Sequence, residues 1–157
     1  MTLLHEDGKR NRERPEIEIV TFGFFTVKVN EKPVLFHRSR SKEILAYLVQ
    51  LQGQSVRRAT IADKILNEPR YDRKVQERLN VYICELKRQL KEEGIDHILI
   101  CQKGEYAVDT TAFRCDLYDF LRDYSFPVKE DPGLYLQEYE WAREKAAFLY
   151  RKFWRNF

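Results

Sequence analysis

The chain is poor in cysteine and glycine, carries little net charge, and has no long apolar run. Its three cysteines, Cys84, Cys101 and Cys115, are odd in number and lack C-x-x-C spacing. This pattern argues against a disulfide framework and a zinc site, and a reducing cytoplasm is the simplest setting for it. None of the six glycines stands in a phosphate-cradling loop, and no segment is apolar enough to cross a bilayer or to act as a signal sequence.

The three histidines give no sign of catalysis or metal binding. His5, His37 and His97 are isolated from one another and from any serine or cysteine with an evident partner. The sequence therefore indicates neither a nucleophilic site nor a metal cluster. We predict that the protein is not an enzyme and requires neither a metal nor a cofactor.

Basic residues are concentrated in one part of a chain whose net charge is only +3. The segment from residue 37 to residue 58 contains a single acidic residue, Glu43, and five basic ones: Arg38, Arg40, Lys42, Arg57 and Arg58. They fall near the starts of two predicted helices, where a cation and free backbone N–H groups can grip a phosphate together. Ordinary surface charge is the alternative explanation for the same pattern.

The segment VQERLNVYICELKRQL, residues 75–90, carries the most informative pattern in the chain. Its apolar residues follow one helical stripe: Val75, Leu79, Tyr82, Ile83, Leu86 and Leu90. The opposite face carries Lys74, Glu77, Val81, Cys84, Arg88 and Lys91, with Arg73 and Arg78 near its start. A mixed basic face of this kind suits the major groove of a duplex, although a solvated amphipathic helix would show the same pattern.

Two shorter helices are predicted before this segment and a hairpin after it. The first helix spans residues 41–52 and opens with a capping serine, Ser41, while the second spans about 59–66. The hairpin spans about 98–108 and turns at Lys103–Gly104. Helix, helix, helix and hairpin is the order of a winged helix.

The segment IEIVTFGFFTVKVNEKPVLF, residues 17–36, precedes the helices and is rich in β-branched and aromatic residues. Breaks at Gly23 and at the turn over residues 30–33 predict three short antiparallel strands. The predicted fold is therefore α+β: a winged helix with an amino-terminal antiparallel sheet, a three-helix core, a carboxyl-terminal β-hairpin wing and a short helical appendage.

An ordered series of five segments resembles a known family of regulators. FGFFTVKVNEKPVLF, KEILAYLVQLQGQSV, RLNVYICELKRQLKEEGI and GEYAVD resemble the OmpR-type winged helix of the SARP-like activators, and in particular the SAPR-type response regulators. CDLYDFL followed by LYLQEYEWA resembles the start of the bacterial transcriptional activation domain in this family. The resemblance covers about residues 17–150. It implies a sequence-specific transcription regulator, within two-component signalling in the case of the response regulators.

The resemblance also divides the chain into three parts. Residues 1–16 are expected to be a disordered leader or linker, residues 17–110 an OmpR-type winged-helix DNA-binding domain, and residues 111–157 a helical appendage. Such regulators usually carry a phosphorylatable receiver ahead of the winged helix and continue into helical repeats. We therefore expect the chain to be either a stand-alone regulator or a fragment.

The implied mechanism places a recognition helix, about residues 73–92, in the major groove and a wing, about 98–108, on the minor groove or backbone. Val81 is placed to meet a thymine methyl group, with a partly covered valine as the alternative. The candidate DNA-binding residues are Arg38, Arg40, Lys42, Arg57, Arg58, Arg73, Lys74, Arg78, Val81, Arg88 and Lys103.

Two alternatives to DNA binding remain open. Cys84 and Glu85 stand where OmpR-type relatives often have basic residues, and the Glu85 carboxylate would repel a nearby phosphate. A winged-helix protein-interaction module that has lost DNA binding is therefore the second hypothesis. RNA binding through the same basic surface is a third, although no aromatic platform of a known RNA-binding motif is evident.

The predicted partners are double-stranded DNA, RNA polymerase and a second copy of the chain on repeated half-sites; no membrane is implied. The homodimer prediction depends on an apolar stripe in the terminal helix, formed by Ala142, Ala146, Leu149, Tyr150, Phe153 and Phe157. This stripe can pack on its own amino-terminal sheet or on another copy. We expect packing within the chain.

Overall fold

The computed structural model describes residues 14–123 and 134–155, which form an α+β winged helix as predicted. The elements are β1 (Ile17–Val20), β2 (Thr26–Val29), β3 (Lys32–Pro33), α1 (Ser39–Gln50), β4 (Val56–Arg57), α2 (Arg58–Leu66), α3 (Arg73–Glu92), a 3-10 turn (Asp96–Ile98), β5 (Leu99–Gln102), β6 (Glu105–Val108), β7 (Arg114–Cys115), α4 (Asp116–Asp123), a second 3-10 turn (Glu140–Ala142) and α5 (Arg143–Arg155). His5, Phe157 and residues 1–13 of the predicted leader lie outside the described residues.

The amino-terminal sheet has the strand order β3-β2-β1-β7. The three antiparallel strands predicted from residues 17–36 are present, with Ile19 opposite Val27. The turn between β2 and β3 places Asn30 and Glu31 at positive φ, 49° and 71°, which matches the twist of a tight hairpin. The sequence does not predict β7, a two-residue strand parallel to β1, because so short a strand has no periodicity.

Helix α3 buries its apolar stripe as the spacing predicts. Asp72 caps the helix, since its side chain accepts a 3.0 Å hydrogen bond from the backbone N–H of Val75. The predicted cap of α1 is wrong: the helix begins two residues earlier, at Ser39, and its cap residue makes no side-chain capping bond. Ser41 is instead buried, and its hydroxyl donates to the carbonyl of Tyr82 at 2.7 Å. This bond ties α1 to the middle of α3.

The wing is the predicted hairpin with one additional strand. Strands β5 and β6 are antiparallel, with Cys101 opposite Tyr106, and β4 pairs with the other edge of β6. Lys103 and Gly104 form the turn with positive φ values of 51° and 76°. The extra strand anchors the wing to the start of α2, because β4 ends where α2 begins.

The appendage packs on the amino-terminal sheet and α1. Phe22 contacts the rings of Phe120 and Tyr135 at centroid distances of 5.5 and 5.7 Å. Leu149 of α5 is fully buried, whereas Trp154 on the same helix is 54% exposed. One hydrophobic cluster runs through the winged helix and the appendage, so much of the terminal stripe is covered within its own chain. Among the described residues, no helix combines the length and apolarity needed to cross a membrane.

Candidate nucleic-acid interface

The exposed face of α3 is the largest element of the candidate interface. The helix carries six lysines and arginines against three glutamates. All six residues predicted for its free face are exposed: Lys74, Glu77, Val81, Cys84, Arg88 and Lys91. Val81 lies in the middle of this face and is 46% exposed. The face is therefore open along its length and carries an excess of positive charge.

The predicted arginines of α3 are engaged in surface ion pairs. Arg73 pairs with Glu77 at 3.3 Å, Arg78 with Glu68 at 3.2 Å, and Arg88 with Glu85 at 2.7 Å and with Glu92 at 3.3 Å. The guanidinium groups remain exposed to solvent, and exposed pairs of this kind are worth only about 0–1 kcal/mol. A phosphate or a base edge can therefore compete for each arginine at little cost.

Glu85 is the acidic centre of the face. Its pKa is lowered from the ordinary range, mainly by the hydrogen bond from Arg88 and further by the positive charges of Arg88 and Arg38. The carboxylate therefore stays ionised at neutral pH. Residues His37 and Arg38, just before α1, lie next to this helix, because the backbone N–H of His37 bonds the side chain of Gln89 on α3.

A buried glutamine holds that loop in place. Gln89 is 4% exposed, its amide nitrogen donates to the carbonyl of Leu35, and its amide oxygen accepts from the N–H of His37 at 3.0 Å. These two bonds fix the chain just before Arg38. Gln89 is not among the residues predicted from the sequence, where its only signal is a polar side chain next to the apolar stripe of α3.

Two predicted contacts at the start of α1 point away from α3. Arg40 donates to Glu43 at 2.9 Å and to the carbonyl of Ile65, at the end of α2, at 3.1 Å. Lys42 lies 3.9 Å from Glu138 of the appendage. Of Arg38, Arg40 and Lys42, only Arg38 is left for the recognition face, because Arg40 is held by Glu43 and the end of α2 and Lys42 lies next to the appendage.

The start of α2 meets the wing at Tyr106. Arg58 donates to the hydroxyl of Tyr106 at 2.6 Å and to the side-chain oxygen of Asn80 at 3.3 Å. Its guanidinium carbon lies 5.4 Å from the centre of the Tyr106 ring, and the ammonium of Lys87 lies at the same distance. Arg58 is among the residues predicted from the sequence, whereas its neighbours are not, since no local pattern joins Arg58 to Tyr106, Asn80 and Lys87.

Among the described residues, unpaired cations also lie at the edges of this surface. Within residues 14–123 and 134–155, Arg57, Lys74 and Lys103 form no ion pair. Lys103 is exposed at the tip of the wing, and Arg57 is exposed at the cap position of α2. The described residues contain no cluster of three or more His, Cys, Asp or Glu side chains that could hold a metal ion.

The leading sheet, the three-helix core and the hairpin wing define the class as a winged helix. No family model matches the chain, and no curated protein sequence matches it. Among solved structures, the chain is similar to Mycobacterium tuberculosis EmbR in complex with a low-affinity phosphopeptide, with a TM-score of 0.67 and 17% identity. The match covers 90% of this chain and 43% of the EmbR chain, so this chain spans less than half of EmbR's length. This likeness shows that the fold described above is shared with part of EmbR.

Proposed function

We propose that the protein is a sequence-specific, double-stranded-DNA-binding transcription regulator of the cytoplasm. The observation that carries the proposal is the open, net-basic face of α3, with the chain before Arg38 bonded to this helix and the wing in contact with it at Tyr106. This is the arrangement in which a recognition helix occupies the major groove while a hairpin reaches the neighbouring backbone or minor groove. The SARP-like fold supports the same function.

The proposed mechanism divides the contacts into two kinds. Arg73, Lys74 and Arg78 on the first turns of α3 read base edges or grip phosphates, and Val81 meets a thymine methyl group. An arginine that binds guanine with two hydrogen bonds gives about 1–3 kcal/mol of discrimination, whereas a phosphate contact gives affinity without sequence choice. Arg38, Arg57 and Lys103 are proposed for phosphates. RNA polymerase and a second copy of the chain on repeated half-sites remain proposed partners.

A second candidate function is a protein-interaction module that has lost DNA binding. The observation that favours it is the neutralisation of the α3 arginines by glutamates, with Glu85 held in its charged form. In this case the same face would bind a partner protein. Salt-dependent binding to duplex DNA separates the two functions.

The decisive experiment selects bound duplexes from a random pool and then measures affinity for the enriched duplex across a salt series. A DNA regulator should enrich one motif and show a steep loss of affinity with salt, with a slope of about −0.9 for each phosphate neutralised. Failure to enrich any motif, together with no duplex binding at low salt, would favour the interaction module.

Lys103→Ala should weaken binding to all duplexes by a similar factor. The lysine stands alone at the tip of the wing, so its loss removes one phosphate contact and should make the salt slope shallower by about one unit. Lys32→Ala, which changes an exposed lysine of β3 in the other sheet, is the matched control. A loss confined to some sequences with the slope intact would mean that Lys103 reads a base.

Glu85→Gln should strengthen duplex binding at low salt. The substitution removes a charged carboxylate from the face and releases Arg88 from its 2.7 Å ion pair. The expected gain is roughly 2- to 10-fold, since one unit charge near a phosphate is worth about 1 kcal/mol in water, and it should fade as salt rises. Glu31→Gln, in the turn between β2 and β3, is the control. An unchanged affinity would place Glu85 outside the DNA contact.

A further inference from the structure

Tyr106 is buried at the junction of the wing with two helices. Its side chain is 4% exposed, and its neighbours across the wing sheet are Val56 on β4 and Cys101 on β5. Arg58, the first residue of α2, donates to its hydroxyl, and Lys87 of α3 lies against its ring. The Tyr106 side chain thus contacts residues of both α2 and α3.

Besides the short connection through residues 93–98, the wing contacts α3 through long side chains. The backbone of β6 packs on α1, whereas α3 reaches β6 through Lys87 and through Arg58, which also bonds Asn80. Asn80 and Lys87 lie about two helical turns apart on the same side of α3. The contacts therefore fix both the distance and the tilt of the wing along this helix.

We propose that Tyr106 is a positioning residue that sets the wing against α3, and that Arg58 acts on DNA through Tyr106 without touching a phosphate. The inference rests on the proposed function, since the placement matters when helix and wing grip one duplex together. The guanidinium of Arg58 donates hydrogen bonds to two neutral acceptors, the Tyr106 hydroxyl and the Asn80 amide oxygen. We call this contact of Arg58 with Tyr106 and Asn80 the joint. Lys103, at the far end of the hairpin, is the residue whose reach depends on this joint.

A double-mutant cycle tests the proposal. Duplex affinity is measured for the wild type, Tyr106→Phe, Lys103→Ala and the double variant. Tyr106→Phe keeps the ring and removes the hydroxyl, so the wing stays folded but loses its fixed placement. The effect of Lys103→Ala should shrink by about threefold or more in the Tyr106→Phe background, since residues linked through a shared element are not additive.

A matched control separates positioning from simple loss of stability. Tyr118→Phe removes a hydroxyl that donates to the carbonyl of Val49 at 2.6 Å, a bond of the same length outside the wing. It should lower thermal stability while its effect on affinity remains additive with that of Lys103→Ala. Arg58→Gln supplies a second readout: affinity should fall while the salt slope stays unchanged, because no phosphate contact is lost.

Hydrogen exchange tests the joint without DNA. Amides of the turn between β5 and β6 should exchange faster in Tyr106→Phe than in the wild type, with α1 unchanged. If the wild type binds no duplex, the proposed function fails, and this measurement still decides whether the joint exists. The proposal is overturned if the cycle is additive, if exchange in the turn is unchanged, or if Arg58→Gln makes the salt slope shallower by about one unit.

Discussion

Duplex affinity should fall by several kcal/mol when Arg73, Lys74 and Arg78 are all replaced by alanine, since each contact is worth about 1–3 kcal/mol. The three residues lie at the start of the open face, with Arg73 92% exposed at its side chain. The substitutions also leave Glu77 and Glu68 without their ion-pair partners. Two uncompensated carboxylates then repel the phosphates and add to the loss.

The matched control removes three cations from the amino-terminal sheet. Lys28, Lys32 and Arg114 are changed together to alanine, which alters net charge equally at a surface formed by other strands. Fluorescence anisotropy with a labelled duplex measures affinity, and thermal melting verifies folding. Unchanged affinity in a folded Arg73/Lys74/Arg78 variant, or an equal loss in the control, would remove these residues from the DNA contact.

The sequence predicted those parts of the fold whose pattern is local. The stripe of α3 repeats with helical spacing over about four turns. In the wing, apolar residues alternate on either side of a Lys103–Gly104 turn that needs positive φ. Each of these two signals depends only on residues that are close together in the sequence. Strand β7 and the burial of Ser41 had no such signal, because each depends on a partner far away in the chain.

The residues of the candidate site show the same difference between local patterns and long-range contacts. The exposure of Val81 and Lys74 follows from the helical period alone, and the structure agrees. The placement of Arg40 depends on the end of α2, and the role of Arg58 depends on Tyr106, 48 residues later. Side-chain periodicity identifies which face of a helix is exposed. Only tertiary packing decides which cations on neighbouring elements are engaged in hydrogen bonds or ion pairs within the protein.

Asp116 makes a cluster of long-range hydrogen bonds to the end of the first strand of the amino-terminal sheet. Its carboxylate accepts from the N–H of Thr21 at 2.8 Å, from the Thr21 hydroxyl at 2.6 Å and from the N–H of Phe22 at 3.0 Å. Thr21 and Phe22 are buried, so water cannot readily replace these bonds. The carboxylate therefore joins the start of α4 to the end of β1.

Asp116→Ala should lower the free energy of unfolding by about 3 kcal/mol or more, since each buried donor left without an acceptor costs about 1–3 kcal/mol. Asp119→Ala on the same helix should cost less than about 1 kcal/mol, because it breaks only an exposed pair with Arg122.

Urea unfolding is followed by circular dichroism and by tryptophan fluorescence, where Trp141 reports the appendage through its contact with Tyr47 of α1. We expect both signals to shift together, because one hydrophobic cluster spans the appendage and the winged helix. A fluorescence shift with the circular dichroism midpoint unchanged would instead show that residues 17–110 fold as a separate domain.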